Sequence, residues 1–170
     1  MSYRIESFTF SHDGKTFLAE VYPDDGMGAP WEQSDCHGIV SDWETRNKLP
    51  GELVLCEDRR ARRFYDVQET MKKARAESWG LSEPALAKLC ESLGRQATRG
   101  EIIAAAVRAD FEFLRGWCTG EWRYVGVCVR ALDADGEAIG EPFENALWGV
   151  ESGAAAHIRE VAAELASEIE

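Results

Sequence analysis

The chain has 170 residues, of which 45% are hydrophobic and 29% are charged, and its formal net charge at pH 7 is −12. Six Trp and an aromatic content of 10% exclude an intrinsically disordered chain, and the length predicts a single domain over residues 1–170 with one substantial core. The first residues show no basic segment followed by an apolar run, and no stretch of about 20 apolar residues occurs, so we expect a cytoplasmic protein that does not enter a membrane.

The N-terminal part of the chain contains a predicted hairpin followed by a long loop. Residues rich in β propensity at Tyr3–Phe10 and Lys15–Tyr22 flank the turn Ser11–Gly14, which is typical of two antiparallel strands. From Asp24 to Leu49 the chain has no clear period, and it predicts an ordered loop with one short strand at Gly38–Trp43. Loops of this length in compact domains usually carry function.

Two short strands and three helices are predicted in the middle of the chain. The strands cover Glu52–Cys56 and Arg62–Tyr65, and the helices begin near Asp66, after Ser82 and at Thr98. The last of these helices carries the strongest local signal, because Thr98 and Glu101 have the spacing of a capping box. Its wide apolar arc predicts a central, mostly buried helix that reaches about Trp117.

The C-terminal part predicts a hairpin and a closing helix. Alternating Val residues make Trp122–Leu132 the best strand, and we place it in the centre of the sheet. A weaker strand is predicted over Glu137–Phe143, a short one over Ala146–Val150, and a helix capped by Ser152. The order of elements predicts an α+β fold, in which an antiparallel sheet of about four to five strands packs against three to four helices.

Charge is distributed unevenly along the chain. Residues 1–58 carry a net −8, residues 59–130 a net +5 and residues 131–170 a net −9. On the closing helix Glu160, Glu164 and Glu168 recur at every fourth position and form one negative stripe, at a cost of about 0.2–0.5 kcal/mol per pair. Solvent, the basic segment or a partner can offset this repulsion, and carboxylates spaced along a rigid helix can also imitate a phosphate backbone.

The loop after Asp24 combines acidic and aromatic side chains. A Trp flanked by carboxylates joins an aromatic anchor to charges that steer a basic partner, whereas an ordered surface loop whose Trp residues pack on the core explains the same pattern without a partner. The candidate binding residues are Trp31, Glu32, Asp35, Asp42 and Trp43, together with Glu160, Glu164 and Glu168. Their expected partner is a basic protein surface.

The sequence favours a protein without catalytic activity, and an enzyme is the alternative. Asp35, His37 and Asp42 could serve a metal-dependent hydrolase that acts on nucleotides or nucleic acid. Motifs of common enzyme classes are missing, no ligand spacing matches a known metal site, and the five Cys never form a CxxC pair, so we expect neither a metal ion nor a cofactor.

A short basic run precedes Phe64 and Tyr65. Its members are Arg59, Arg60, Arg62 and Arg63. Basic residues beside aromatic ones can contact nucleic acid, but the net −12 repels a polyanion, and we therefore expect no direct nucleic-acid binding. The favoured role of this run is to neutralise the acidic ends of the same chain or to face an acidic surface of a partner.

Five segments together resemble a group of small acidic proteins encoded by bacteriophages and prophages of proteobacteria. These segments are Gly28–Val40, Pro50–Leu55, Arg62–Gly80, Ala109–Asp133 and Leu147–Ser152. The resemblance covers most of the chain and implies no catalytic residue or cofactor. It implies a phage accessory protein that binds a host or phage protein through acidic surfaces. One such role is to inhibit a nucleic-acid-binding host defence protein of the CRISPR or restriction type.

Overall fold

The computed structural model describes residues 3–169, and the chain divides into two compact units. The outer unit consists of residues 3–28 and 121–169, and the inserted unit consists of residues 29–120. In chain order the elements are β1 (Glu6–His12), β2 (Lys15–Pro23), α1 (Pro30–Gln33), β3 (Ile39–Glu44), β4 (Glu52–Glu57), β5 (Arg62–Asp66), α2 (Val67–Ala76), α3 (Glu83–Leu93), α4 (Arg99–Thr119), β6 (Tyr124–Ala131), β7 (Ala146–Glu151) and α5 (Ala155–Ser167). The sequence predicts one domain over residues 1–170 and gives no indication of two units.

The outer unit is a four-stranded antiparallel sheet covered on one face by α5. Its strand order is β1-β2-β6-β7, so β2 and β6 are central, as predicted for Trp122–Leu132. Because side chains alternate along a strand, the apolar set of β2 and β6 faces the helix together. The buried core contains Phe17, Ala19, Val21, Val125, Val127, Val129, Val150, Ile158, Val161, Ala162 and Ala166.

The inserted unit enters and leaves the outer unit at one end of a strand pair. Pro23 at the end of β2 pairs with Val125 near the start of β6, although the whole inserted unit separates them in sequence. The amide of Asp24 continues this pairing with a 3.1 Å hydrogen bond to the carbonyl of Tyr124. Neighbouring attachment points are what a tolerated insertion into a sheet requires.

The inserted unit packs a three-stranded antiparallel sheet against α4. The strand order is β3-β5-β4, and the core residues are Leu55, Tyr65, Ala74, Ile103, Val107, Phe111 and Leu114. The predicted capping box is confirmed, since the Thr98 hydroxyl accepts from the Glu101 amide and the Glu101 carboxylate accepts from the Thr98 amide. Among residues 3–169, no helix combines the length and the apolar content that a membrane span needs.

The α+β class and the antiparallel pairing are confirmed, but the number of elements differs from the prediction. Residues 3–169 form two sheets of four and three strands with five helices, whereas one sheet of four to five strands with three to four helices is predicted. The short strands β3, β4 and β5 pair only with one another. A short apolar run does not reveal which sheet a strand joins, and this is why one sheet was expected.

The predicted strand over Glu137–Phe143 is wrong. Within that segment the only ladder contact is an isolated bridge between Ala138 and Leu132. Gly140 and Phe143 have φ of 88° and 71°, and these left-handed conformations interrupt an extended strand. The partner of β6 on this side is β7 instead.

Ser152 does not cap the closing helix as predicted. Its hydroxyl accepts a 2.9 Å hydrogen bond from the amide of Arg123, and the helix begins at Ala155 with Ala154 in the capping position. The Ser152 side chain therefore connects the end of β7 to the start of β6 instead of capping α5.

Candidate functional site

Nearly all of the net negative charge belongs to the outer unit. Residues 1–28 and 121–170 contain 16 acidic and 5 basic residues, which is a net −11, whereas residues 29–120 contain 15 and 14, which is a net −1. The alternation of acidic and basic parts along the sequence thus becomes a division between an acidic unit and a nearly neutral one.

Seven of the 14 basic residues of the inserted unit form ion pairs with acidic residues of that unit. The pairs are Arg46 with Glu52 at 2.7 Å, Arg62 with Glu57 at 3.0 Å, Lys72 with Glu69 at 2.6 Å, Arg95 with Glu101 at 2.7 Å, Arg108 and Arg115 each with Glu112 at 3.7 Å, and Arg63 with Asp42. The hydrogen bond from Arg95 lowers the pKa of Glu101 to about 2. In the basic run at residues 59–63, Arg62 and Arg63 are therefore paired inside their own unit, whereas these ion pairs do not include Arg59 and Arg60.

The predicted acidic stripe lies on the exposed face of α5. Ile158, Val161 and Ala162 turn inward, and this helical register leaves Glu160, Glu164 and Glu168 exposed. The ion pairs of residues 3–169 include no Lys or Arg partner for any of the three Glu, and Glu160 lies 3.8 Å from Nδ1 of His157. These carboxylates are available to a partner.

An aromatic patch on the outer unit was missed in the sequence. It consists of Tyr22, Phe143 and Trp148, with ring centroids 5.0 Å apart for Tyr22 and Phe143 and 6.1 Å apart for Phe143 and Trp148. Phe143 is 47% exposed and Trp148 is 45% exposed. The signal was a Phe and a Trp in residues 133–151, a segment with six acidic residues and no Lys or Arg.

Three of the predicted binding residues converge on an internal cation. The guanidinium of Arg63 lies 5.1 Å from the ring of Trp31 and 4.2 Å from that of Trp43, and its Nε donates to Asp42. Trp117 adds a third ring at 5.5 Å. Burial alone would lower the pKa of Arg63, but Asp42 raises it above its ordinary value. These side chains hold β3 and β5 together, and Trp43, at 48% exposure, and Asp42 remain exposed to solvent.

His37 and Asp42, two residues of the proposed hydrolase, have different side-chain partners in the structure. His37 hydrogen-bonds Asp110, Asp42 pairs with Arg63, and Asp35 accepts from Lys73 through its backbone carbonyl while its side chain is exposed. Of the residues that the structure describes, no three His, Cys, Asp or Glu are placed to hold a metal ion.

Glu32 is also committed locally. Its carboxylate accepts a 3.0 Å hydrogen bond from the amide of Ala29 at the start of α1. By contrast, Asp110 was not expected at any site, because it lies 73 residues from its partner His37. An acidic residue between the apolar stripes of α4 was the available signal.

No known protein family matches this chain, and no curated protein or solved structure is similar to it.

Proposed function

We propose that the chain is a phage-encoded acidic accessory protein that acts in the host cytoplasm by binding a basic surface of a host or phage protein. The observation that carries the proposal is the net charge of −11 on the outer unit. The basic residues of that unit are too few to pair with most of its acidic residues. The sequence resemblance supports the phage origin. A charge this far from zero governs association, because it steers oppositely charged partners and repels others.

The stripe on α5 favours a partner that binds nucleic acid. Glu160, Glu164 and Glu168 stand on one helix face, and a helix rises by about 6 Å over four residues. A row of evenly spaced anions on a rigid rod offers a cationic surface the same kind of contacts as a phosphate backbone. A protein that occupies such a surface excludes nucleic acid from it, and this would make the chain a counter-defence inhibitor when the partner is a defence protein.

The aromatic patch of Tyr22, Phe143 and Trp148 supplies an apolar contact area beside the acidic residues. Exposed charges mainly raise the association rate, whereas buried aromatic side chains at the centre of an interface slow dissociation. Phe143 and Trp148 are half-exposed, and they lie in a segment whose six charged side chains are all acidic. An aromatic centre in an acidic segment fits a partner whose apolar contact area is bordered by Lys and Arg.

Affinity capture from a proteobacterial lysate with three forms of the full chain tests this function. The forms are the wild type, the triple variant E160Q/E164Q/E168Q, and a control triple variant D58N/E83Q/E91Q that removes three exposed acids from the inserted unit. We expect the wild type and the control to retain a basic protein at about 0.1 M salt and to release it at about 1 M, because the Debye length falls from about 10 Å to about 3 Å. The stripe variant should retain about tenfold less.

The captured protein is then tested for nucleic-acid binding with and without the purified chain. Release of the nucleic acid by the wild type, and not by the stripe variant, supports the proposal. Capture that is insensitive to salt, or equal for the wild type and the stripe variant, contradicts it.

A further inference from the structure

A second candidate site lies wholly within the inserted unit and is independent of the acidic outer unit. An open cleft of about 590 Å³ is bordered by His37 and Asp110, by the aromatic side chains Trp79 and Phe113, and by the small residues Ala106 and Ala109 on α4. This volume falls in the range of small-molecule sites, and a mostly apolar lining with few polar groups is typical of them.

Asp110 determines the tautomer of His37. One carboxylate oxygen of Asp110, Oδ1, lies 2.7 Å from His37 Nδ1, and the two side chains are 10% and 14% exposed. Because a carboxylate only accepts, Nδ1 carries the proton in the neutral imidazole, and Nε2 is then an acceptor.

The other oxygen of Asp110 is occupied by two donors. Oδ2 accepts from the amide of Gly38 and from the hydroxyl of Tyr65, both at 2.8 Å. Tyr65 is fully buried, and burial together with the charge of Asp110 raises its pKa far above the ordinary value, so its hydroxyl keeps the proton and donates. Asp110 is thus held in place from two sides.

The imidazole is held by its surroundings as well. It stacks on Phe113 with a centroid distance of 5.5 Å and an interplanar angle of 11°, and Lys73 donates a 2.8 Å hydrogen bond to the backbone carbonyl of His37. No residue within 3–169 hydrogen-bonds Nε2. A fixed and unpaired acceptor at the wall of an aromatic cleft is a preorganised hydrogen-bonding position for a ligand.

We propose that this cleft binds a planar heteroaromatic molecule that donates an N–H to His37 Nε2. Flat aromatic faces and small Ala residues favour a planar ring, because stacking contributes where no bulky side chain intrudes. The single acceptor selects for a ring that carries an N–H. A ring with only an acceptor nitrogen would place its lone pair against the lone pair of Nε2 and form no hydrogen bond. Indoles and purine bases share this chemistry.

Asp110→Asn provides a sharp test, because the cleft of this variant should prefer a ligand that accepts a hydrogen bond over one that donates an N–H. The amide of Gly38 and the hydroxyl of Tyr65 both donate to Oδ2, so the Asn oxygen must take that place and its NH₂ must face His37 Nδ1. Nδ1 then becomes the acceptor and Nε2 carries the proton. The variant should prefer isoquinoline, which only accepts, over indole, which only donates.

Titrations followed by ¹H–¹⁵N NMR of the full chain measure these preferences, with indole, adenine and isoquinoline as separate probes. We expect the wild type to bind indole or adenine more tightly than isoquinoline by about two- to tenfold, which corresponds to one hydrogen bond. Binding of indole rather than adenine, or the reverse, distinguishes the two sources of the chemistry. The shifted signals should include the indole N–H of Trp79.

His37→Phe is the second variant, because it keeps an aromatic ring for stacking and removes the acceptor. This variant should bind indole and isoquinoline equally, and it tests the proposal even if Asp110→Asn fails to fold. The control is Glu112→Gln, at an exposed position on α4, which should bind the probes as the wild type does. Equal binding of indole and isoquinoline by the wild type, no binding of any probe, or an unchanged preference in His37→Phe would overturn the proposal.

Discussion

The indole ring of Trp148 lies against the backbone of Gly126, at the place that a side chain of residue 126 would occupy. Gly126 is buried in the middle of β6, where the neighbouring Val125 and Val127 face α5. The missing side chain on the opposite face creates the flat surface on which Trp148 rests. A glycine in a central strand thus positions the aromatic patch.

Gly126→Ala should destabilise the outer unit and move Trp148 outward. A methyl group at residue 126 overlaps the ring, and overpacking of this kind costs about 1–3 kcal/mol. Urea unfolding measures the loss, and the NMR signal of the Trp148 indole N–H reports the displacement. The control is Gly100→Ala, since a Cβ there meets nothing within 4 Å. Equal midpoints for the wild type and Gly126→Ala would show that the ring does not depend on this glycine.

Arg63→Lys should cost the inserted unit about 1–2 kcal/mol, although the charge is kept. A guanidinium stacks on aromatic rings through its plane, and an ammonium on a flexible stem does not reproduce three such contacts. Arg62→Lys is the matched control on the same strand. Arg62 is 42% exposed beside Glu57, so its substitution should change the free energy of unfolding by less than about 0.5 kcal/mol. Similar losses for the two variants would argue against the stacking.

Glu20→Gln should alter the acid stability of the outer unit. Burial alone would raise the pKa of Glu20, but hydrogen bonds from Arg4 and Arg130, each 2.7 Å long, lower it below its usual value. The stability that this carboxylate contributes is complete above its unfolded pKa, near 4.5, and is lost as the pH falls further.

The variant should therefore be about 1–3 kcal/mol less stable than the wild type at pH 7, because it weakens two charged hydrogen bonds, and the difference should shrink by pH 3. Urea unfolding at several pH values measures it. Glu6→Gln, exposed on β1, serves as the control. A difference that stays constant between pH 7 and pH 3 would be inconsistent with an ionised Glu20.

Cys128 should make the protein sensitive to alkali. Burial, with the charge of Glu20, raises the pKa of this thiol from 9.0 to about 11. The folded state therefore keeps a proton that the unfolded chain releases, so stability falls as the pH rises between these two values, by about 3 kcal/mol. Cys128→Ala should flatten this part of the pH profile, whereas Cys36→Ala, at an exposed position, should leave it as in the wild type. A Cys128→Ala profile as steep as that of the wild type would contradict the assignment.

Local signals predicted much of the fold. Thr98 and Glu101 lie three residues apart, so the start of α4 depends on neighbours in sequence, and the alternating Val residues of β6 reveal a strand with two apolar faces. The short strand predicted at Gly38–Trp43 is present as β3, displaced by one residue. Such features need no knowledge of distant parts of the chain.

What could not be predicted depends on long-range contacts. Asp42, Trp31 and Trp117 meet Arg63 only after β3 and β5 pair and α4 packs on them, so the loop looked like a free binding surface in the sequence. Asp110 reaches His37 in the same way. The division of charge between the two units follows from chain topology, since residues 121–169 return to the sheet begun by residues 3–28.

The pairing of β2 with β6 also sets an order of folding during synthesis. The β1–β2 hairpin leaves the ribosome before β6, and it then carries Phe17 and Val21 on a face whose partner strand follows about a hundred residues later. Bringing Pro23 and Val125 together across a disordered connection costs loop entropy, and a folded inserted unit removes most of that cost by shortening the effective loop. Slow folding of residues 29–120 would therefore prolong the time for which the nascent hairpin is open to chaperones or to aggregation.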